Sequence, residues 1–100
     1  MILYNITVIV DEAIEAQWLS WINQTFIPEA LSSSLLVSNR VLKVLESPNE
    51  GVTYCLQFIA DNIQNYTTFK EVHASALLNS HSLKFNNQAV HFSTVMEFIS

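Results

Sequence analysis

The chain has 100 residues, of which half are hydrophobic and 13% are charged, and its net charge is −5. This length predicts one domain spanning residues 1–100, with a single core. Four basic residues cannot form the positive surface that nucleic acids and anionic membranes require, so neither partner is expected. An average domain carries about 25% charged residues. The apolar excess therefore predicts that a second copy covers part of the surface, in a homodimer.

The use of cysteine and the lack of a targeting pattern predict a cytoplasmic protein. Cys55 is the only cysteine, so no internal disulfide can form. No Lys or Arg precedes Arg40, so the basic region of a signal peptide and the repeated Arg of a transit peptide are both missing. No apolar run approaches the ~18 residues that would span a bilayer.

The first half of the chain predicts a strand, a helix and a second strand. Residues 2–10 alternate between an apolar and a mixed face, which is typical of a strand. Asp11 is placed to cap a helix whose apolar residues, Trp18 and Trp21 among them, recur at spacings of three and four. Pro28 lacks an N–H, so this helix is expected to end or kink there. After a serine-rich loop, residues 35–45 return to an extended pattern.

The second half predicts a strand, a helix and a final strand. Residues 52–60 alternate again and follow a turn that contains Gly51, the only glycine. Asp61 and Gln64 have the spacing of a capping box, so a helix is expected to begin there and to continue through Leu77. Residues 83–89 are predicted as a loop, and residues 90–98 as the fourth strand.

This order predicts an α+β fold, a ferredoxin-like βαββαβ sandwich with a four-stranded antiparallel sheet and two helices on one face. The apolar side of each strand is expected to meet the helices. The opposite side, which we call the open sheet face, is expected to carry Asn5, Thr7, Gln57, His91 and Glu97. The second strand is apolar on both sides, so the sequence leaves the facing of Arg40 open.

No group of side chains matches a catalytic or metal motif. His73 and His81 are eight residues apart, about 12 Å along a helix, so no metal is expected. The simpler interpretation of His81 is an interaction with the carbonyls at the end of its helix. His91 and Glu97 have the chemistry for acid–base catalysis, but roughly 20 Å separates them along one strand. A polar surface is therefore favoured over a catalytic site.

The aromatic residues and the glycine content allow few other sites. Trp18 and Trp21, with Tyr66 and Phe69, could line a ligand pocket, although aromatic residues at helical spacing are more often part of the core. Cys55 lies mid-strand, which is typical of a packing residue. A single glycine excludes nucleotide-binding loops, so no cofactor is expected.

Several motifs resemble a bacterial family known only as domain of unknown function 4286. They are Tyr4 to Val8, Trp18, Trp21, Ile27-Pro28, Arg40, Gly51 through Thr53-Tyr54 to Gln57-Phe58, and His73-Ala74 to Leu77, His81 and Phe85. The resemblance covers nearly the whole chain and implies no established activity and no catalytic residue. In that family the residue before Ile-Pro is often histidine, whereas this chain has Phe26. More distantly, the fold order resembles dimeric α/β-barrel proteins, which include cofactor-free monooxygenases and ligand-sensing modules.

Two functional hypotheses remain open. The first is a non-enzymatic homodimer that binds a small ligand or a protein. The alternative is a cofactor-independent, monooxygenase-like enzyme acting on a small hydrophobic substrate between the sheet and the helices. A closed cavity with convergent polar groups would favour the enzyme, and a packed, dry interior would favour the binding domain. The candidate pocket or interface residues are Asn5, Thr7, Arg40, Gln57, His91, Glu97, Trp18 and Trp21.

Overall fold

Strands and helical segments follow one another in the predicted order. The computed structural model describes all of residues 1–100. The strands are β1 (Ile2–Val10), β2 (Ser38–Lys43), β3 (Val52–Ala60) and β4 (Ala89–Glu97). The first helical segment consists of a 3-10 turn (Glu12–Ile14), α1 (Glu15–Trp21), a π-turn (Ile22–Phe26) and α2 (Ile27–Ser32). The second consists of α3 (Ile63–Phe69), a π-turn (Lys70–Ala74) and α4 (Ser75–Lys84).

The four strands form an antiparallel sheet in the order β2-β3-β1-β4. β1 lies in the centre, with Ile2 opposite Ala60 of β3 and Glu97 of β4. The ferredoxin-like prediction is therefore confirmed. β2 is shorter than the extended stretch predicted over residues 35–45, although Val37 and Val44 each add one backbone hydrogen bond to β3 beyond its ends.

An apolar core lies between the sheet and the helices. Alternate residues of β1 and β3 point into it, and Val10, Ala60 and Trp18 are fully buried. Trp18 and Phe69 belong to the same core cluster, so both helical segments cover one face of the sheet, as predicted. Burial of a large apolar side chain contributes about 1.5–3 kcal/mol to folding. The helices are therefore held mainly by this shared core.

The first helical segment does not end at Pro28, the first of the two predicted outcomes, but a π-turn interrupts it just before the proline. The N–H of Ile27 donates to the carbonyl of Ile22, which is the hydrogen bond of a π-turn. Pro28 then lies in the first turn of α2, where a missing N–H costs little. The chain accommodates the proline by widening one turn rather than by breaking the helix.

The two helical segments begin with side-chain caps. The carboxylate of Asp11 accepts the N–H of Ala13 at 2.9 Å, which confirms the predicted cap. At the second segment the cap is Asn62 rather than Asp61, because Asn62 is extended and its side-chain oxygen accepts the N–H of Asn65 at 2.8 Å. Both residue types cap well, so the sequence could not separate these two neighbours. The segment continues through Leu77 as predicted, and α4 (Ser75–Lys84) also includes the first two residues of the loop predicted over residues 83–89.

Gly51 occupies a position that no other residue fits without strain. Its φ is +86°, and a Cβ there would lie 2.6 Å from the carbonyl oxygen of Val10. We expect Gly51→Ala to lower the free energy of unfolding by about 2 kcal/mol, because left-handed strain adds to this clash. Urea denaturation measures the change. The neighbouring exposed Glu50→Ala should stay within about 0.5 kcal/mol of the wild type, and an equal loss in both variants would contradict this account.

Candidate functional site

A row of polar side chains crosses the middle of the open sheet face. The strand register places Arg40, Gln57, Asn5 and Thr94 side by side on four neighbouring strands. The side-chain amide of Asn5 donates to Thr7 Oγ1 at 3.0 Å, and that of Gln57 donates to Asn5 Oδ1 at 3.3 Å. Asn5 is only 7% exposed although no helix covers it. Four predicted site residues therefore lie together, and Arg40 is placed on this face.

Apolar side chains surround that polar row. Val90 and Phe92 are 59% and 57% exposed, and Leu42 and Met96 are also exposed. The partly buried Leu3, Ile9 and Ile59 lie on the same face. Arg40 is the only charged residue of the open sheet face, because every other position on it is apolar or neutral. The face therefore has the composition of an interface centre.

β4 faces the opposite way from the prediction. His91 lies opposite Val8 and Glu97 opposite Ile2, and both of these β1 residues are buried beneath the helices. His91 and Glu97 therefore lie on the helix side, so their predicted placement on the open sheet face is wrong. The alternation of residues 90–98 identified the apolar side of β4 correctly. That side faces outward, because β4 is an edge strand that the helices cover only near Ala89.

A buried histidine links the two helical segments. The indole Nε1–H of Trp18 donates to Nε2 of His81 at 2.9 Å, and His81 is 2% exposed. Because this bond occupies the lone pair of Nε2, the neutral ring carries its proton on Nδ1. Burial, and to a lesser degree the nearby His91, lowers the pKa of His81 to about 4. The ring is therefore neutral at physiological pH.

The Nδ1–H of His81 has no hydrogen-bond partner although it is buried. His81 lines a small void, which has no room for a water molecule. The ring of His91 is 5.4 Å away, centroid to centroid, and nearly perpendicular. The only side-chain hydrogen bond of His91 is a 3.5 Å contact between its Nε2 and Ser82 Oγ. An unsatisfied buried donor costs about 1–3 kcal/mol, so its presence needs an explanation.

The remaining sequence candidates belong to the core. Trp18 is completely buried, and the partly buried Trp21 packs against Phe26 and Phe85 at ring distances of 5.9 and 5.4 Å.

His81 lies in the last turn of α4, but its ring points into the core and not toward the helix carbonyls, which corrects the prediction. The signal was present in the sequence, because residues 77, 81 and 85 are evenly spaced by four along one buried stripe.

A second polar cluster was not predicted. The hydroxyl of Tyr54 donates to the carboxylate of Glu15 at 2.6 Å, and Lys43 lies 3.2 Å from the same oxygen. Burial and the adjacent Glu15 raise the pKa of Tyr54 to about 12. The hydrogen bonds from Tyr54 and Lys43 lower the pKa of Glu15. The three residues come from separate elements, so no spacing in the sequence could reveal them.

The concavities of the molecule lie on its surface. The voids between sheet and helices have no room for a water molecule. A groove of about 590 Å³ runs past Asp11, Glu12 and Glu50 at one end of the sheet. Another groove of about 300 Å³ lies between the end of α4 and the start of β4. No group of three or more His, Cys, Asp or Glu side chains is arranged to hold a metal ion.

Comparisons with known proteins place the chain in a family. The family model described as Domain of unknown function (DUF4286) matches residues 1–99. The chain belongs to the DUF4286 family. This match confirms the resemblance that was inferred from the sequence motifs. A comparison with curated proteins finds no match for this DUF4286 chain. None of its helices is long and apolar enough to cross a membrane.

Solved structures similar to this DUF4286 domain share its fold. A predicted antibiotic biosynthesis monooxygenase from Nitrosomonas europaea is 7% identical and matches 100% of both chains with a TM-score of 0.70. An ethyl tert-butyl ether d (ethd) family protein from Bacillus halodurans is 13% identical over 99% of this chain and 100% of its own, with a TM-score of 0.69. A predicted antibiotic biosynthesis monooxygenase from Deinococcus radiodurans is 14% identical over 100% and 94%, with a TM-score of 0.63. At these identities the similarity concerns the fold alone.

Proposed function

We propose that this DUF4286 domain is a non-enzymatic homodimeric binding domain in which the open sheet faces of two copies meet. The observation that carries the proposal is the composition of that face. Val90, Phe92 and Met96 are exposed on its β4 edge and Leu42 on its β2 edge, and Arg40 is its only charge. Monomers rarely expose contiguous apolar patches larger than a few hundred Å². A second copy would cover this patch with a self-complementary surface.

The polar row gives the proposed interface its specificity. Asn5, Gln57 and Thr7 already bond to one another, so each can enter an interface with part of its hydrogen-bonding capacity satisfied. The two polar rows of a dimer would then bond to each other or to a small polar ligand held between them.

Cys55 is a free thiol on the same face. A reducing bacterial cytoplasm, the location we propose, would keep two such thiols from cross-linking.

The packed interior favours binding over catalysis. A cofactor-independent, monooxygenase-like enzyme needs a cavity in which a substrate meets several polar groups. The residues that line the voids between sheet and helices are apolar apart from His81, His91 and Tyr4, whose hydroxyl contacts Ser93, and the voids have no room even for water. The similarity to two predicted monooxygenases supports the alternative only through the fold, and one fold hosts many functions.

The mass in solution tests the proposed dimer. Light scattering after gel filtration, at micromolar concentration, should give twice the 11.4 kDa of one chain. Because the face carries almost no charge, the dimer should persist at high salt, which screens charged contacts but strengthens apolar burial. A mass of one chain at all concentrations would contradict the proposal.

A further inference from the structure

The buried His81, whose Nδ1 has no hydrogen-bond partner, lines a small void. The void beside it is lined by Ile6, Val8, Phe26, Leu56, Leu78, His81 and His91. The 300 Å³ surface groove is lined by Ser82, Asn86, Asn87, Ala89, Val90 and His91. His91 is the one residue that belongs to both sets. His91 therefore lies between the void that His81 lines and a groove of about 300 Å³.

His91 is held weakly in this position. It is partly exposed on an edge strand, and its only side-chain hydrogen bond is the 3.5 Å contact with Ser82, which is at the limit for such a bond. Partly exposed side chains change rotamer on the picosecond to nanosecond scale. The movement that a ligand site here would require is a change of rotamer at His91, and the ligand would then occupy the space that the His91 ring leaves.

We propose that this groove and void form a binding site for a small, uncharged carbonyl compound, whose oxygen accepts the Nδ1–H of His81 after His91 swings aside. The site deepens the proposed binding function and rests on it. It lies mainly on the helix side of the sheet and shares only Val90 with the proposed dimer interface. The bond is a hydrogen bond only, with no covalent step.

The chemistry of the surroundings selects the ligand. His81 offers a donor and no acceptor, because Trp18 occupies its Nε2 lone pair. No charged side chain lines either the void or the groove, and the chain carries a net charge of −5. An anion would lose its hydration there without an opposite charge in return. A ketone or amide oxygen satisfies the donor. The apolar residues of the void contact the adjoining part of the molecule, and the mostly polar groove, with Ser82, Asn86 and Asn87, holds the remainder.

Nuclear magnetic resonance tests the site with acetophenone, and toluene serves as a probe of similar shape without the oxygen. The reporter is the indole N–H cross-peak of Trp18, which is bonded to the far side of the same imidazole ring. Trp21→Phe, at a partly buried position, identifies this peak by removing the other indole signal. Acetophenone should shift the Trp18 peak and bind about tenfold more tightly than toluene, because it satisfies an otherwise unpaired buried donor.

Two variants make the outcome decisive. His91→Ala removes the barrier at a partly exposed position and should tighten acetophenone binding severalfold. Val72→Arg, at an exposed position that lines neither the void nor the groove, should leave the titration unchanged, and the mass in solution tests the dimer separately. The proposal is overturned if acetophenone leaves the Trp18 peak unmoved in both the wild type and His91→Ala. It is equally overturned if toluene binds as tightly as acetophenone.

Discussion

Between pH 7 and pH 4 the free energy of unfolding should fall by about 3 kcal/mol because of His81. The pKa of His81 is about 4 in the folded protein, against 6.5 for an ordinary histidine. As the pH falls through 6.5, the unfolded chain takes up a proton that the folded chain does not. The stabilisation is therefore complete above pH 6.5 and is lost progressively toward pH 4. A proton on Nε2 would also replace the acceptor of the Trp18 bond by a second donor.

Urea denaturation at a series of pH values, at one fixed protein concentration, measures this loss. His81→Gln keeps an oxygen that can accept from Trp18 but does not titrate, so the slope between pH 6.5 and 4 should largely disappear. Glu15 is distinguishable, because its pKa is lowered from 4.5 and its contribution is lost only at more acidic pH. The same slope in His81→Gln and in the wild type would show that His81 is not the group responsible.

Replacing one exposed aromatic residue should separate the dimer. Phe92 is 57% exposed in a single copy, so Phe92→Arg should leave the fold of each chain intact. In the proposed dimer the same change places a charge in a desolvated apolar contact. We expect a loss of about 2–3 kcal/mol, which corresponds to a dissociation constant roughly 30- to 150-fold higher. Sedimentation or light scattering across a dilution series measures the shift.

Val72→Arg is the matched control for this experiment. Val72 is 65% exposed in the π-turn of the second helical segment, away from the open sheet face. Val72→Arg introduces the same charge in place of another exposed apolar residue and should leave the dissociation constant unchanged. If Val72→Arg dissociated the dimer and Phe92→Arg did not, the copies would meet through their helices.

The fold followed from the sequence because each element carries its own signal. Alternation defined β1 and β3, and spacings of three and four defined the helices. Details of the helices were missed where two local structures have similar energies. Pro28 was accommodated by a π-turn that no residue pattern announces, and Asp61 and Asn62 are equally good caps.

The candidate site was harder to predict because its geometry depends on which side of an edge strand faces the helices. Residues 90–98 show clearly that one side is apolar, but the pattern does not say whether the helices or a second copy covers that side. His91 was assigned to the wrong face for this reason. The bond between Trp18 and His81 joins residues 63 positions apart, and only packing brings them together. Local patterns contain no information about such a pair.

Contacts between two copies test the central claim most directly. Isotope-filtered nuclear Overhauser spectra of a mixture of labelled and unlabelled protein detect only protons that approach each other across an interface. The open-face dimer predicts contacts between copies at Leu3, Ile59, Phe92 and Met96, with none at Val72. Contacts confined to the helices, or none in a sample whose mass is that of one chain, would contradict it.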